Sequence, residues 1–118
     1  MREIKFRAWD KENKVMMDWE DIKYIDLDTL QKSSILMQYT GLKDKNSKEI
    51  YEGDIVHVEA VAYGRNMKAV VIWKNGGFML KWEDEYESYI QDWAKDLAES
   101  EVIGNIYENP ELLESDKI

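Results

Sequence analysis

Apolar and polar residues alternate at the start of the chain, as they do in a strand with one buried face. Ile4, Phe6 and Ala8 share one face of this pattern, a polar turn follows at 10–14, and an apolar run resumes over 15–19. The opposite face carries three charged residues, Glu3, Lys5 and Arg7. The pattern predicts a β-hairpin near the N-terminus.

The stretch that follows the hairpin carries weaker signals. Alternation is weak over 21–27, and a short apolar run of strand type covers 35–39. Residues 40–49 are polar and rich in turn-forming residues, which predicts a compact connection of the Ω type.

The middle of the chain returns to strand patterns. Gly53 and Asp54 predict a turn or bulge that leads into a strand over 55–62, because glycine adopts positive φ without steric cost. A turn is expected at 63–66. The strongest signal comes next, since Asn75 and Gly76 separate the apolar runs 69–73 and 78–82. Asn-Gly between two apolar runs predicts a β-hairpin, because both central residues need positive φ.

The period of the pattern changes after this hairpin. Apolar residues recur every three or four positions, which predicts one amphipathic helix near 86–98. The residues that carry this period are Tyr86, Ile90, Trp93, Ala94 and Leu97. Trp93 is expected on the buried side of that helix.

The C-terminal part predicts one more strand and one more helix. Apolar residues favour a strand over 101–107, and Asn109 followed by Pro110 predicts the start of a short helix with Asn109 as N-cap. Short strands with turn signals between them favour a mainly β (α+β) fold. We expect a small SH3-like or rolled β-barrel with one amphipathic helix and a short C-terminal helix.

Composition narrows the class of protein. The chain has 118 residues, one histidine and no cysteine, which fits a single domain over 1–118 and excludes disulfides and thiolate metal sites. A single histidine also excludes two-histidine mechanisms. The chain contains no run long and apolar enough to span a membrane, and its start lacks the apolar core of a signal peptide. We therefore expect a cytoplasmic protein.

The charge is concentrated in one segment. The chain has a formal net charge of −9, and residues 82–101 hold eight acidic residues against one lysine. Such a field repels phosphate backbones, so nucleic-acid binding is not expected. Three interpretations stay open: a solubilising face, a docking face for a basic protein, and a mimic of nucleic acid.

The candidate chemical groups do not form a recognisable site. The acidic cluster Glu83, Asp84, Glu85 and Glu87 offers oxygen ligands for Mg²⁺ or Ca²⁺, but it lacks the spacing of a calcium loop. Asp92, Asp96 and Glu99 fit the wet face of the predicted helix, and His57 has no nearby catalytic partner in the sequence. The sequence predicts no catalytic, cofactor-binding or metal-binding residue.

Aromatic residues are in excess. The chain holds five tryptophans and seven tyrosines, whose large apolar surfaces stabilise cores and interfaces. The tryptophans are Trp9, Trp19, Trp73, Trp82 and Trp93. A surplus left on the surface predicts self-association.

Three stretches of the chain carry a recognisable pattern: residues 1–10 (MREIKFRAWD), 36–56 (LMQYTGLKDKNSKEIYEGDIV) and 102–113 (VIGNIYENPELL). In these stretches the chain resembles the YopX family of small proteins encoded by phages and prophages, whereas 16–34 and 57–100 carry no such resemblance. The resemblance implies a phage origin and a compact, mainly β domain that self-associates, and it implies no reaction. The residues that could form a shared ligand surface in these stretches are Tyr39, Thr40, Gly41, Gly53, Asp54, Asn105, Tyr107 and Asn109.

Taken together, these features favour a phage or prophage accessory protein that acts through protein–protein contacts. We expect a homo-oligomer in the cytoplasm of the bacterial host, with a basic phage or host protein as a further candidate partner. A nucleic-acid-associated module of phage replication or regulation is the alternative. A hydrolase that depends on carboxylates or a metal is the third hypothesis.

Overall fold

The computed structural model describes residues 3–60 and 65–113, which fold into two curled antiparallel sheets with a few short helices. The strands are β1 Phe6–Asp10, β2 Val15–Met17, β3 Ser34–Lys43, β4 Glu49–Tyr51, β5 Asp54–Ala60, β6 Arg65–Lys74, β7 Gly77–Trp82, β8 Glu87–Tyr89 and β9 Glu101–Asn105. The helices are α1 Trp19–Ile22, α2 Leu27–Ser33 and α3 Ala94–Ala98. The predicted mainly β fold is confirmed.

The four-stranded sheet has the order β2-β1-β3-β4. The predicted N-terminal hairpin is confirmed, with Ala8 opposite Met17. The side chain of Asp10 holds the turn by accepting the backbone N–H groups of Glu12 and Asn13 at 3.0 and 3.1 Å. Ile4 lies before β1 and is exposed.

Two short helices replace the weak alternation expected over 21–27. Asp18 caps α1 by accepting the Asp21 N–H at 3.0 Å, and Asp26 caps α2 by accepting the Thr29 N–H at 2.9 Å. These caps satisfy N–H groups that the first turn leaves free, so an acidic residue before each segment favours helix over strand. The apolar run predicted over 15–19 therefore ends early, because Trp19 already belongs to α1.

The Ω connection predicted over 40–49 is wrong. β3 continues to Lys43, which pairs with Glu49 across a tight turn. Asp44 holds this turn with one carboxylate oxygen, which accepts the N–H groups of Asn46 and Lys48 at 2.8 and 2.9 Å. The residues of this stretch therefore form the end of a strand and an Asp-stabilised turn instead of a compact Ω loop.

The five-stranded sheet has the order β8-β7-β6-β5-β9. The Asn75–Gly76 hairpin is confirmed, with φ of 56° and 79° at these two residues and Lys74 opposite Gly77. β5 occupies most of the strand predicted over 55–62. The predicted turn at 63–66 lies in part outside the described residues, and Arg65 already begins β6.

The helix predicted over 86–98 is shorter than its pattern suggested. Residues Glu87–Tyr89 form β8, a 3₁₀ turn covers Ile90–Trp93, and only Ala94–Ala98 is α-helical. Cross-strand contacts make residues 87–89 a strand instead of the first turn of a helix. Ser88 accepts the indole N–H of Trp82 at 3.2 Å and pairs with β7. Trp93 does pack on the core, with its ring centroid 4.6 Å from that of Trp82.

The C-terminal elements are also shorter than expected. The strand predicted over 101–107 ends at Asn105. A 3₁₀ turn over Pro110–Leu113 stands where a short helix was expected to begin. Residues 114–118 lie outside the described part of the chain. Asn109 was predicted as an N-cap. Its side chain instead accepts the Asn105 N–H at 3.2 Å, while its carbonyl accepts the Leu112 N–H at 3.1 Å.

Two apolar clusters hold the sheets. The larger lies between the five-stranded sheet, α3 and part of the other sheet; its fully buried members include Ile50, Val56, Val58, Leu80 and Leu97. The smaller lies under the first two helices, where Ile22 and Leu30 pack on Ala8. No helix in the described part of the chain has the length and apolarity needed to cross a membrane.

Candidate functional site

Three segments that are distant in the sequence meet where β5 begins. Arg7 comes from β1, Tyr51 and Asp54 lie on either side of the β4–β5 turn, and Tyr107 follows β9. We call these four residues, together with Gly53, the junction. They connect the two sheets, because the Gly53 N–H donates to the carbonyl of Val71 at 2.7 Å.

Asp54 is the buried centre of the junction, with 1% of its surface exposed. Its Oδ1 accepts a hydrogen bond from Nη2 of Arg7 at 2.8 Å, and its Oδ2 accepts the Tyr51 N–H at 2.7 Å. The guanidinium partner and the backbone donor offset part of the cost of burying this carboxylate. Both carboxylate oxygens of Asp54 are thus hydrogen-bonded within the chain.

Arg7 reaches Asp54 from the charged face of β1. Its guanidinium lies 4.9 Å from the centroid of the Tyr51 ring and also donates to the Glu52 carbonyl at 3.3 Å. Its Nε is buried and has no hydrogen-bond partner among the described residues. The arginine therefore ties β1 to the β4–β5 turn through charge, hydrogen bonding and ring contact.

Gly53 makes the close approach possible. Its φ is +90°, a region that side chains with a Cβ rarely adopt. A Cβ there would lie 3.1 Å from Sδ of Met37 and 3.6 Å from the ring of Tyr107. The predicted turn at Gly53 is confirmed, and it needs glycine for both conformation and space.

Burial controls protonation at the junction. It raises the pKa of Asp54 despite the nearby Arg7 charge, and it raises the pKa of Tyr51 to about 12. Burial also raises the pKa of Glu52, whose carboxylate accepts the Gln38 N–H at 3.3 Å. These carboxyl groups pay a desolvation penalty for their charged forms.

Asp44 shows the opposite balance in the β3–β4 turn. Burial pushes its pKa up, but the N–H groups of Val102, Lys48 and Asn46 together hold the pKa below its usual range. Its Oδ2 accepts the Val102 N–H at 2.9 Å, so the turn is also attached to β9. Three backbone donors thus stabilise a buried charge that one guanidinium and one donor do not fully stabilise at Asp54.

Several predicted site residues gather around the junction. Asp54 lies opposite Asn105 in the β5–β9 pairing, and Oδ1 of Asn105 accepts the N–H groups of Tyr107 and Glu108 at 3.0 and 2.8 Å. Asn109 binds the backbone of Asn105 from the following turn. Gly53, Asp54, Asn105, Tyr107 and Asn109 are therefore neighbours.

The other three predicted residues lie along β3. Tyr39 is buried with its ring centroid 5.4 Å from that of Tyr51, so it borders the junction. Thr40 points to the other face, donates to the Ile50 carbonyl at 2.7 Å and lines a groove. Gly41 is exposed with φ of 89° where the register shifts. That all eight predicted residues form a shared ligand surface stays a prediction.

Sequence reasoning missed two contributors to this region. Arg7 appeared only as a charged position on the first strand, and Trp9 only as one of five tryptophans. In the structure the Trp9 ring stacks on Tyr107, with ring centroids 5.7 Å apart. The alternation of the strand could have predicted that Arg7 and Trp9 share a face, because they are two positions apart. Their partners, more than forty residues away, could not be read from that spacing.

A groove opens on the side of β3 that carries Thr40. It has a volume of about 410 Å³ and lies between β3, the β6–β7 turn and the segment that leads into α3. Its lining consists of Gln38, Thr40, Leu42, Trp73, Gly76, Gly77, Phe78, Ile90, Gln91 and Ala94. The volume falls within the range of common ligand pockets.

The groove has an apolar floor and an aromatic wall. Phe78 and Ile90 are almost fully buried in it, whereas Trp73 is 52% exposed. The Trp73 ring meets Phe78 edge to face, with centroids 5.0 Å apart. The side-chain amides of Gln38 and Gln91 make no hydrogen bond to any residue of the described ranges and add polar groups to the lining.

Three uncharged residues of the acidic segment 82–101, Ile90, Gln91 and Ala94, line one side of this groove. Part of its charge is paired, since Glu85 contacts Lys81 and Glu87 contacts Lys74. The remaining acidic side chains without an ion pair to the described chain include Asp92, Asp96, Glu99 and Glu101. No three His, Asp or Glu side chains of the described residues come together as a metal-binding group.

Comparisons with known proteins identify close structural relatives. The family model of the YopX protein matches residues 25–114. The crystal structure of protein EF1440 from Enterococcus faecalis is 27% identical, with a TM-score of 0.64, and the match covers 96% of this chain and 99% of that one. The crystal structure of protein yopX from Bacillus subtilis shares the fold at 23% identity, with a TM-score of 0.64 and coverage of 92% and 96%. No curated protein sequence matches the chain.

Proposed function

The chain belongs to the YopX family, and from this starting point we propose that it is a non-enzymatic accessory protein that acts through protein–protein contacts as a homo-oligomer. The proposal includes a phage or prophage origin and action in the cytoplasm of a bacterial host. The observation that carries it is one edge of the five-stranded sheet, formed by β8, which pairs with no further strand of the described residues and carries exposed aromatic residues.

That edge is formed by β8, which stands at one end of the strand order. Tyr86, just before it, is 68% exposed, and Tyr89, its last residue, is 42% exposed. An edge strand offers unpaired backbone N–H and C=O groups, to which a second strand can add. Two copies related by a two-fold axis could pair their β8 strands and cover these rings.

The apolar residues behind this edge are largely covered already. Tyr89 pairs with Met79, and Met79 pairs with Ile72, but Met79 is only 6% exposed. The exposed apolar area at the edge is therefore that of Tyr86 and Tyr89, and a second β8 strand could cover both rings.

The carboxylates support a binding protein over an enzyme. Asp54 and Asp44 are buried and are bonded to Arg7 or to backbone N–H groups, so their oxygens stabilise the fold. The net charge of −9 also weighs against contact with phosphate backbones.

Sedimentation velocity at tens of micromolar protein tests the proposal. We expect the wild-type chain to sediment as a species heavier than 14.0 kDa, and a double variant Tyr86→Ser and Tyr89→Ser to shift toward the monomer. Tyr24→Ser is the matched control, because Tyr24 is 89% exposed and lies between α1 and α2. A wild-type chain that sediments only at 14.0 kDa would overturn the oligomer.

Binding to nucleic acid is measured in the same samples. Duplex DNA or RNA that associates at low salt and dissociates steeply as salt rises would support the alternative nucleic-acid module. We expect no such association.

A further inference from the structure

We infer that the groove beside Trp73 binds a large apolar side chain presented on a short basic segment of a partner protein. This inference rests on the proposed function, action by protein–protein contact, and names the partner that the groove fits. It concerns a different contact from the pairing of β8 edges that we assign to two copies, although the two surfaces adjoin: a Cβ on Gly77, which lines the groove, would lie 3.8 Å from the Tyr89 ring.

The shape of the groove fits one large side chain and the backbone that carries it. Its floor is formed by Phe78 and Ile90, both under 9% exposed, and Leu42 and Ala94 complete the apolar lining. Trp73 stands at the side with half of its surface free. An aromatic wall above an apolar floor is the arrangement in which an aromatic anchor from a partner contributes most to affinity.

The polar groups in the lining match a polypeptide. Gln38 and Gln91 project from β3 and from the 3₁₀ turn, and each carboxamide carries both a donor and an acceptor. Neither amide is engaged by a side chain or backbone group of the described residues. Each peptide group also has one donor, its N–H, and one acceptor, its C=O. The two glutamine carboxamides can therefore hydrogen-bond to the backbone of an extended segment that lies over the apolar floor.

Charge decides between a basic partner and a second copy. No charged residue of the described ranges lines the groove itself. Asp92 follows Gln91 in the sequence, and the Glu52 carboxylate accepts the backbone N–H of Gln38 at 3.3 Å. Neither carboxylate forms an ion pair within the described part of the chain, and Lys95 is the single cation of segment 82–101. A second copy would bring the same net charge of −9 to this surface, whereas lysines or arginines beside the anchor would be attracted to it.

Titration calorimetry with three short peptides tests the inference. The probe is acetylated Lys-Lys-Phe-Lys-Lys amide; one control replaces Phe by Ala, and the other replaces every Lys by Glu. We expect the probe to bind one site per chain, and both controls to bind at least about tenfold more weakly, because one loses the anchor and the other reverses the charge. Equal heats from all three peptides, or no binding by the probe, would overturn the inference.

Two variants locate the site. Ala94→Met fills the groove and is expected to weaken probe binding by about tenfold or more, whereas Ala98→Met, at an exposed position one turn further along the helix and outside the lining, should change it less than about twofold. Asp92→Asn should weaken binding by about two- to fivefold and reduce its salt dependence, while Glu12→Gln on the distant β1–β2 turn should not. An Ala94→Met protein that binds the probe as well as the Ala98→Met protein would contradict the assignment.

Sedimentation of the same variants separates this inference from the proposed oligomer. A monomeric wild-type chain that binds the probe would end the oligomer proposal and leave the groove assignment standing. If Ala94→Met instead converts the oligomer to monomer while the probe fails to bind, the occupant is a second copy and the inference is wrong. If the oligomer persists in every variant and the probe does not bind, only the inference fails.

Discussion

The junction and the groove differ in burial and in hydrogen bonding. At the junction, Asp54 is 1% exposed and accepts hydrogen bonds from the Arg7 guanidinium and the Tyr51 N–H. In the groove, Trp73 is 52% exposed and two glutamine amides face outward without a described partner. The closed region therefore holds the buried ion pair, and the open region holds the exposed aromatic wall.

Membership of the family does not separate the two regions. The YopX family model matches residues 25–114, a range that contains every residue lining the groove and every junction residue except Arg7. The difference between the regions therefore lies in their burial and hydrogen bonding.

The largest predicted effect is the removal of the central carboxylate. Asp54→Ala leaves the Arg7 charge and the Tyr51 N–H buried without their partner, so we expect a loss of about 3–5 kcal/mol in the free energy of unfolding. Urea denaturation measures it. Asp28→Ala is the control, because Asp28 and Lys32 form an exposed pair, and it should cost under about 0.5 kcal/mol. A cost under about 1 kcal/mol for Asp54→Ala would show that the junction does not stabilise the fold.

The pH dependence of stability distinguishes the two buried aspartates. The folded pKa of Asp44 lies below the ordinary 3.8, so its stabilisation is present above that value and is lost as the pH falls through the folded pKa. The folded pKa of Asp54 is raised, so its contribution is complete below 3.8 and decreases as the pH rises through the folded pKa.

Urea denaturation of Asp44→Asn and Asp54→Asn between about pH 3 and 6 checks both signs. The cost of Asp44→Asn should grow with pH to about 2–3 kcal/mol, because charge-assisted hydrogen bonds are lost. The cost of Asp54→Asn should shrink over the same range. Parallel slopes for the two variants would contradict the difference in their surroundings.

Alanine substitutions at two glycines test how crowded the junction and the groove are. Gly53 and Gly76 both have positive φ, at +90° and +79°, but a Cβ at Gly76 meets nothing within 4 Å. Gly76→Ala should therefore cost about 1 kcal/mol from conformation alone, and Gly53→Ala about 2–3 kcal/mol because Met37 must also move. Thermal or urea unfolding measures the difference, and equal costs would show that the junction is not crowded.

The smallest expected effect on stability belongs to the groove. Trp73→Ala should cost about 1 kcal/mol or less, because half of the indole is already in water. Trp93→Ala should cost about 3 kcal/mol, since that ring packs on Trp82 and the core. Urea denaturation of both variants ranks them; the reverse order would assign Trp73 to the core.

Local patterns in the sequence predicted the strands well and the short helices badly. Asn75 and Gly76 define their hairpin because the turn geometry depends on those two residues alone. The region 86–89 was predicted as helix because apolar spacing cannot report that Ser88 and Tyr89 pair with β7. The helices after Asp18 and Asp26 were missed although each aspartate is an N-cap, a signal that can be read from sequence.

The candidate site was predictable only in part. Gly53 and Asp54 were singled out from their turn, and Tyr107 from its resembling stretch, but the Arg7–Asp54 contact spans 47 positions and depends on how the sheets meet. The groove could not be predicted at all, because its walls come from β3, the β6–β7 turn and the start of α3. Such a surface exists only after the three segments pack together.

The most direct test of the contrast between closed junction and open groove is an amide chemical-shift map of the chain titrated with the Lys-Lys-Phe-Lys-Lys probe. We predict shifts concentrated at groove amides such as Gln38, Gly77 and Gln91, with those of Gly53 and Asp54 unchanged. Shifts centred on Gly53 and Asp54, with the groove amides unchanged, would contradict the account.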